Sequence, residues 1–129
     1  PDGNSVASGG GDRRVRIWNV VDAKQAREIG GFGGDVFSVA LTKDGNLLTA
    51  SADRNAREHN PADGKTLRTY SGHADWVYSL AYHADKQLVA TGSYDGEVKM
   101  WNATDASLQT TFIAIPSGPV STTVADSGK

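Results

Sequence analysis

Apolar positions along the chain fall in short runs separated by turn-forming residues. Val36-Phe37-Ser38-Val39-Ala40-Leu41 and Val77-Tyr78-Ser79-Leu80-Ala81-Tyr82 are rich in β-branched and aromatic residues, the composition of strands. Three more runs have the same character: Val6-Ala7-Ser8-Gly9-Gly10, Leu47-Leu48-Thr49-Ala50-Ser51 and Val89-Ala90-Thr91-Gly92-Ser93. Between the runs stand Asp2-Gly3-Asn4, Lys43-Asp44-Gly45-Asn46, Ala84-Asp85-Lys86-Gln87, Asp63-Gly64 and Tyr94-Asp95-Gly96, all turn chemistry. The pattern predicts short antiparallel strands and no helix. Little polar alternation within the runs predicts sheets covered on both faces.

The runs recur with a fixed period. Asp12, Asp53 and Asp95 lie 41 and 42 residues apart. Six residues after each comes an aromatic ring, Trp18, His59 or Trp101, followed in every case by asparagine (Asn19, Asn60, Asn102). Asp22, Asp63 and Asp105 repeat the same spacing. Each period holds four strands, A to D, and four-stranded units of this length are propeller blades. The expected fold is all-β: three blade equivalents of four antiparallel strands, in the order BCD-ABCD-ABCD-A. Blade 1 (1–30) lacks strand A, blade 2 spans 31–71, blade 3 spans 72–115, and 116–129 supply a final strand A.

These residues resemble the WD40 repeat family over nearly the whole chain. In that family a Gly-His pair precedes strand A, a Ser or Thr sits in strand B, an aspartate holds the B–C turn and Trp-Asp closes strand C. Repeat three matches most fully, with Gly72-His73, Thr91, Asp95 and Trp101-Asn102. The resemblance implies a structural relay in which the imidazole stands between aspartate and hydroxyl while the indole N–H donates to the hydroxyl. Ser8, Thr49 and Thr91 carry a hydroxyl four residues before Asp12, Asp53 and Asp95 and are the preferred relay positions; Ser51 and Ser93 are the alternative. Trp18 and Trp101 supply the indoles. Repeat two has Gly31-Phe32 in place of Gly-His and His59 in place of tryptophan, so its relay is expected to be broken.

Both ends fall inside a blade. Asp2-Gly3-Asn4 reads as an A–B turn, and the tail Gly118-Pro119-Val120-Ser121-Thr122-Thr123-Val124-Ala125 reads as an A strand followed by the turn Asp126-Ser127-Gly128-Lys129. Rings of this family have six to eight blades and close by exchange of a terminal strand. Three blades leave two sheet faces and one strand edge open, and an open edge invites pairing. The expectation is a homo-oligomer formed head to tail, a dimer giving six blades or a trimer giving nine, or alternatively a piece of a longer chain with further blades.

Composition narrows the chemistry. A formal charge of −2 gives no bulk attraction for nucleic acid or anionic membrane, and the absence of cysteine removes disulfides, thiolate ligands and thiol nucleophiles. No apolar run approaches the roughly 18 residues of a membrane span. His73, Asp95 and Thr91 are the residue types of a hydrolase triad, yet their place in a repeat favours a structural role. His59, His73 and His83 have no zinc-like spacing, so neither metal nor cofactor is expected. Arg13, Arg14, Arg16, Arg54, Arg57 and Lys99 lie along strand C, but Asp12, Asp53 and Glu58 are interleaved with them, as on a solvated strand. A sialidase-type Asp-box fails at Ser93-Tyr94-Asp95-Gly96, where the glycine comes one residue too early.

Asp75, Trp76 and Tyr94 are the candidate partner-binding residues. In the WD40 family their positions line the face around the central opening, and Trp and Tyr are the residues of interface hot spots. The reading is a non-catalytic scaffold for protein–protein interaction that self-assembles by strand exchange. Two alternatives are a propeller module attached to an enzyme or redox domain encoded elsewhere, and a fragment or engineered assembly unit without a ligand.

Overall fold

The computed structural model describes residues 2–114, and every regular element there is a β-strand. The first sheet holds β1 (Ser5–Gly9), β2 (Val15–Asn19) and β3 (Gln25–Ile29). The second holds β4 (Val36–Leu41), β5 (Leu47–Ser51), β6 (Asn55–His59) and β7 (Thr66–Ser71). The third holds β8 (Val77–His83), β9 (Leu88–Ser93), β10 (Glu97–Asn102) and β11 (Leu108–Ile113). All three are antiparallel meanders in sequence order. They correspond to BCD, ABCD and ABCD; the expected final A strand lies outside the described residues.

The core lies between the sheets. Leu47 and Leu48 are consecutive on β5, so their side chains leave opposite faces of the second sheet. Leu47 packs with Val15, Ile29, Phe32 and Val36 toward the first sheet. Leu48 packs with Ala56 and Tyr70 against Val89, Trp101 and Ala103 of the third. Both leucines are almost fully buried, and each such burial stabilises by about 2–3 kcal/mol. Two-sided covering holds for β5, which is buried along its length, and fails at the outer strand β11, exposed throughout.

Two local features shape the rim. The register of β4 on β5 shifts between Val36 and Ser38, and that of β8 on β9 between Val77 and Ser79. Phe37 and Tyr78 are therefore bulge residues, and a bulge re-aims its side chain. The B–C turns carry a left-handed residue at equivalent positions, Arg13 (φ 65°), Arg54 (φ 73°) and Gly96 (φ 87°). Only the third uses the residue that adopts this conformation without steric cost.

Candidate functional site

Strands β9 and β10 pair so that Lys99 lies opposite Thr91 and Trp101 opposite Val89, which brings the strand C indole over the strand B hydroxyl. Trp101 Nε1 donates to Thr91 Oγ1 at 2.8 Å, and His73 Nε2 lies 2.6 Å from the same oxygen. His73 Nδ1 has no hydrogen-bond partner of good geometry and lies 3.3 Å from Glu97 Oε1. Glu97 also meets Lys99 Nζ at 3.2 Å. We assign the imidazole proton to Nδ1, facing the carboxylate, which leaves Nε2 to accept from the Thr91 hydroxyl while that oxygen accepts from the indole. Burial holds His73 below its usual pKa; Lys99 adds to that shift, and Glu97 opposes it.

Asp95 does not bond to the imidazole, contrary to expectation. Its Oδ1 accepts the Glu97 amide at 3.0 Å, so the short side chain closes its own turn. The carboxylate facing His73 is that of Glu97, whose extra methylene reaches from the start of β10. Nor does the alternative hydroxyl take part. Ser93 Oγ is buried without a partner, and Ser51 Oγ bonds Gly34 O at 3.2 Å.

In blade 2 Phe32 puts no imidazole between Asp53 and Thr49, and one link of the relay remains, that between ring and hydroxyl. His59 Nε2 lies 3.2 Å from Thr49 Oγ1, and its Nδ1 is 3.4 Å from Thr66 Oγ1. An imidazole carries a ring nitrogen that can meet the hydroxyl as an indole N–H does, so the substitution keeps the contact. Phe32, standing where histidine was expected, packs edge-on against His59 at 5.4 Å. Burial, with the Arg57 charge second and Glu58 opposing, lowers the His59 pKa to about 4. Asp53 accepts the Gly33 amide at 2.9 Å and pairs with Arg57 at 2.8 Å. In blade 1 Trp18 Nε1 donates to Ser8 Oγ at 2.9 Å, in an exposed setting, while Asp12 pairs with Arg16 at 2.6 Å.

The surface candidates belong to a larger cluster. Trp76 lies 5.9 Å from Phe37 and 5.7 Å from Tyr94, and Tyr94 lies 6.5 Å from Tyr78, ring centre to ring centre. All four rings are exposed, from 42% for Phe37 to 66% for Tyr94. The backbone fixes the central pair, since the Tyr94 amide donates to Trp76 O at 2.8 Å. Asp75 Oδ1 accepts the Trp76 amide at 2.7 Å. Phe37 and Tyr78 were not singled out from the sequence; their matching places in the two A-strand runs were the available signal.

The basic residues along strand C are largely neutralised. Arg14 pairs with Glu28, Arg16 with Asp12 and Glu28, Arg57 with Asp53, and Lys99 with Glu97. Among the described residues no three His, Asp or Glu side chains converge as metal ligands. A separate clamp joins blades 2 and 3. Buried Glu58 accepts Arg68 Nη1 at 2.8 Å and Asn46 Nδ2 at 2.7 Å, and Arg68 Nε reaches Thr104 O at 2.7 Å. Beside blade 1 an open groove of about 620 Å³ is lined by Ser5, Ala7, Ile17, Leu41 and Leu47 among others.

The family model described as "WD domain, G-beta repeat" matches residues 1–19, 24–59 and 64–102. The chain belongs to the WD40 repeat family, whose propellers act as protein-interaction scaffolds and generally bind protein partners. Among solved structures it is similar to one titled "Structure of U3-55K", with a TM-score of 0.81 at 24% identity, a likeness that shows the β-propeller fold. The match covers 88% of this chain and 37% of that one, so the chain spans little more than a third of that propeller protein. No curated protein matches the chain.

Proposed function

We propose that the chain is a non-catalytic interaction scaffold that presents Asp75, Trp76 and Tyr94 to a protein partner and completes its ring by head-to-tail association of copies. The observation that carries the interaction role is the exposed cluster Phe37–Trp76–Tyr94–Tyr78, built across two blades from β4, β8, the residue before β8 and the β9–β10 turn. Large rings left in water on a rigid rim are the composition of an interface centre. In this reading the His73–Thr91–Trp101 set fixes blade geometry and performs no chemistry. The test is a photo-crosslinking phenylalanine analogue placed at Tyr94, with the same analogue at Val21, 88% exposed in a C–D turn, as control. A partner labelled from Tyr94 and not from Val21 is expected; equal labelling, or none, refutes the reading.

Self-assembly is supported by the two end faces. Trp101 faces the preceding blade and is covered there by Leu48, Ala56 and Tyr70. Among the described residues Trp18, its equivalent in blade 1, has no such cover and β1 has no strand on its inner side. At the other end Ala81, Leu88, Ala90 and Met100 form an open apolar face on blade 3. A copy bringing that face to Trp18, with an A strand beside β1, repeats the packing seen between blades 2 and 3 and closes into a ring. Light scattering is expected to give two or three times the 13.6 kDa protomer mass. A stable folded monomer refutes assembly and leaves the interaction role standing.

A further inference from the structure

We propose that the four-ring surface receives a cationic side chain, arginine or lysine, from a basic segment of the protein partner. The inference rests on the interaction reading above and names the chemistry of the partner. Aromatic faces attract cations through the ring quadrupole, and tryptophan does so best. Trp76 sits between Phe37 and Tyr94 at interplanar angles of 38° and 46°, neither stacked nor perpendicular, and stays 49% exposed.

Carboxylates stand at the positions next to these rings. Asp75 precedes Trp76 and Asp95 follows Tyr94; Asp35 occupies in blade 2 the place that Trp76 holds in blade 3. Asp75 and Asp95 each engage a backbone amide through one oxygen, at 2.7 and 3.0 Å, which fixes the side chain and leaves a second oxygen for a ligand. The Glu97 amide holds the Asp95 carboxyl below its usual range, so it stays ionised at neutral pH. Of the cations in the corresponding turns, Arg13 belongs to blade 1 and Arg54 to blade 2, which supplies Phe37, while blade 3, which supplies the other three rings, has Gly96 there. Rings flanked by carboxylates favour a guanidinium or ammonium group. The same rings could stack nucleic-acid bases, but the carboxylates would repel the phosphates.

The test selects peptides from a phage-displayed random heptapeptide library on the full chain. Selected peptides are then measured against wild type, Trp76→Ala, Asp75→Asn and Tyr94→Ser. The two polar replacements lie on exposed positions and keep the test valid if Trp76→Ala lowers the melting temperature. Expected are arginine- or lysine-bearing peptides whose affinity falls about tenfold on Asp75→Asn or Trp76→Ala. Replacing their cation by glutamine should cost a similar factor. Peptides that depend on the rings but carry no cation overturn the cation proposal and leave the interaction reading intact. Peptides indifferent to all three substitutions overturn both. Binding of an eight-nucleotide uridine RNA that Trp76→Ala abolishes and Asp75→Asn strengthens overturns the proposal in favour of nucleic acid.

Discussion

Valine in place of Thr91 keeps the side chain's size and shape and deletes the one oxygen that two rings share. Thr91 is 1% exposed and Trp101 2% exposed, so water does not replace the lost partner. Trp101 Nε1 at 2.8 Å and His73 Nε2 at 2.6 Å both lose their bond. An unsatisfied buried polar group costs about 1–3 kcal/mol. Two of them, less about 1 kcal/mol for the added methyl, put Thr91→Val at about 1–5 kcal/mol. The equivalent change in blade 2, Thr49→Val, removes longer contacts of 3.2 and 3.4 Å, for which about 1–2 kcal/mol is expected. In blade 1 the Ser8–Trp18 bond is exposed, so water satisfies the indole and Ser8→Ala costs under about 1 kcal/mol. Urea unfolding by far-UV circular dichroism, at one dilute protein concentration, reads the three midpoints. The expected order of destabilisation is Thr91→Val, then Thr49→Val, then Ser8→Ala. A shift below about 0.5 kcal/mol for Thr91→Val, within the range of an inconsequential surface change, refutes the claim that this oxygen anchors the blade.

Three further outcomes follow from the packing. His59 has a folded pKa of about 4 against 6.5 for a free imidazole, so between those values the unfolded chain binds more protons. Stability is therefore full above about pH 6.5 and falls by about 3 kcal/mol as pH drops to 4; urea midpoints across that window should flatten in His59→Phe, and an unchanged slope counts against the assignment. Arg68→Met strands the buried Glu58 carboxylate. A loss of about 2–3 kcal/mol is expected, below the figure for a fully buried pair because the arginine is partly exposed, and adding Glu58→Met should restore part of it in a double-mutant cycle. A Cβ on Gly9 would lie 2.8 Å from Val36 O, so Gly9→Ala forces β1 from β4; a thermal midpoint lowered by the equivalent of about 1–3 kcal/mol is expected.

The strands, their order and the blade periodicity were legible because each local signal agreed with the others. Runs of β-formers alternate with turns whose aspartates (Asp12, Asp53, Asp95) recur at 41- and 42-residue spacing, and the strands lie between the turns. The site was legible only in part. Asp75, Trp76 and Tyr94 were found from their repeat positions, but Phe37 and Tyr78 are aimed to the rim by bulges, and a two-residue alternation does not announce a bulge. Glu97 was missed because a turn motif names the residue that closes the turn, whereas side-chain reach decides which carboxylate meets the imidazole. The Asn46–Glu58–Arg68 clamp joins residues from separate strands and turns, which no periodic pattern links. The surviving His59–Thr49 contact of blade 2 was missed because residue identity was weighed, and the position of a ring nitrogen was not.

Taken together, the three blades separate what the repeat holds fixed from what it varies. A ring from strand C meets the strand B hydroxyl each time: Trp18 with Ser8, His59 with Thr49, Trp101 with Thr91. The turn carboxylate keeps one bond in blades 2 and 3, to the amide two residues on (Asp53 to Asn55, Asp95 to Glu97), and varies in the rest: Asp12 pairs with Arg16, and Asp53 with Arg57 and the Gly33 amide. In blades 2 and 3 the fixed pair is buried on the face turned toward the preceding blade, where its polar atoms satisfy one another while the ring packs against its neighbours, as Trp101 does against Tyr70 at 5.7 Å. Variation reaches the buried positions only as one ring for another, His59 for Trp101 and Phe32 for His73, and is freer at the rim, where water screens charges and a change costs little. That division lets one blade carry Asp75, Trp76 and Tyr94 while its neighbour carries Asp35 and Ala52, with the same strand geometry beneath both.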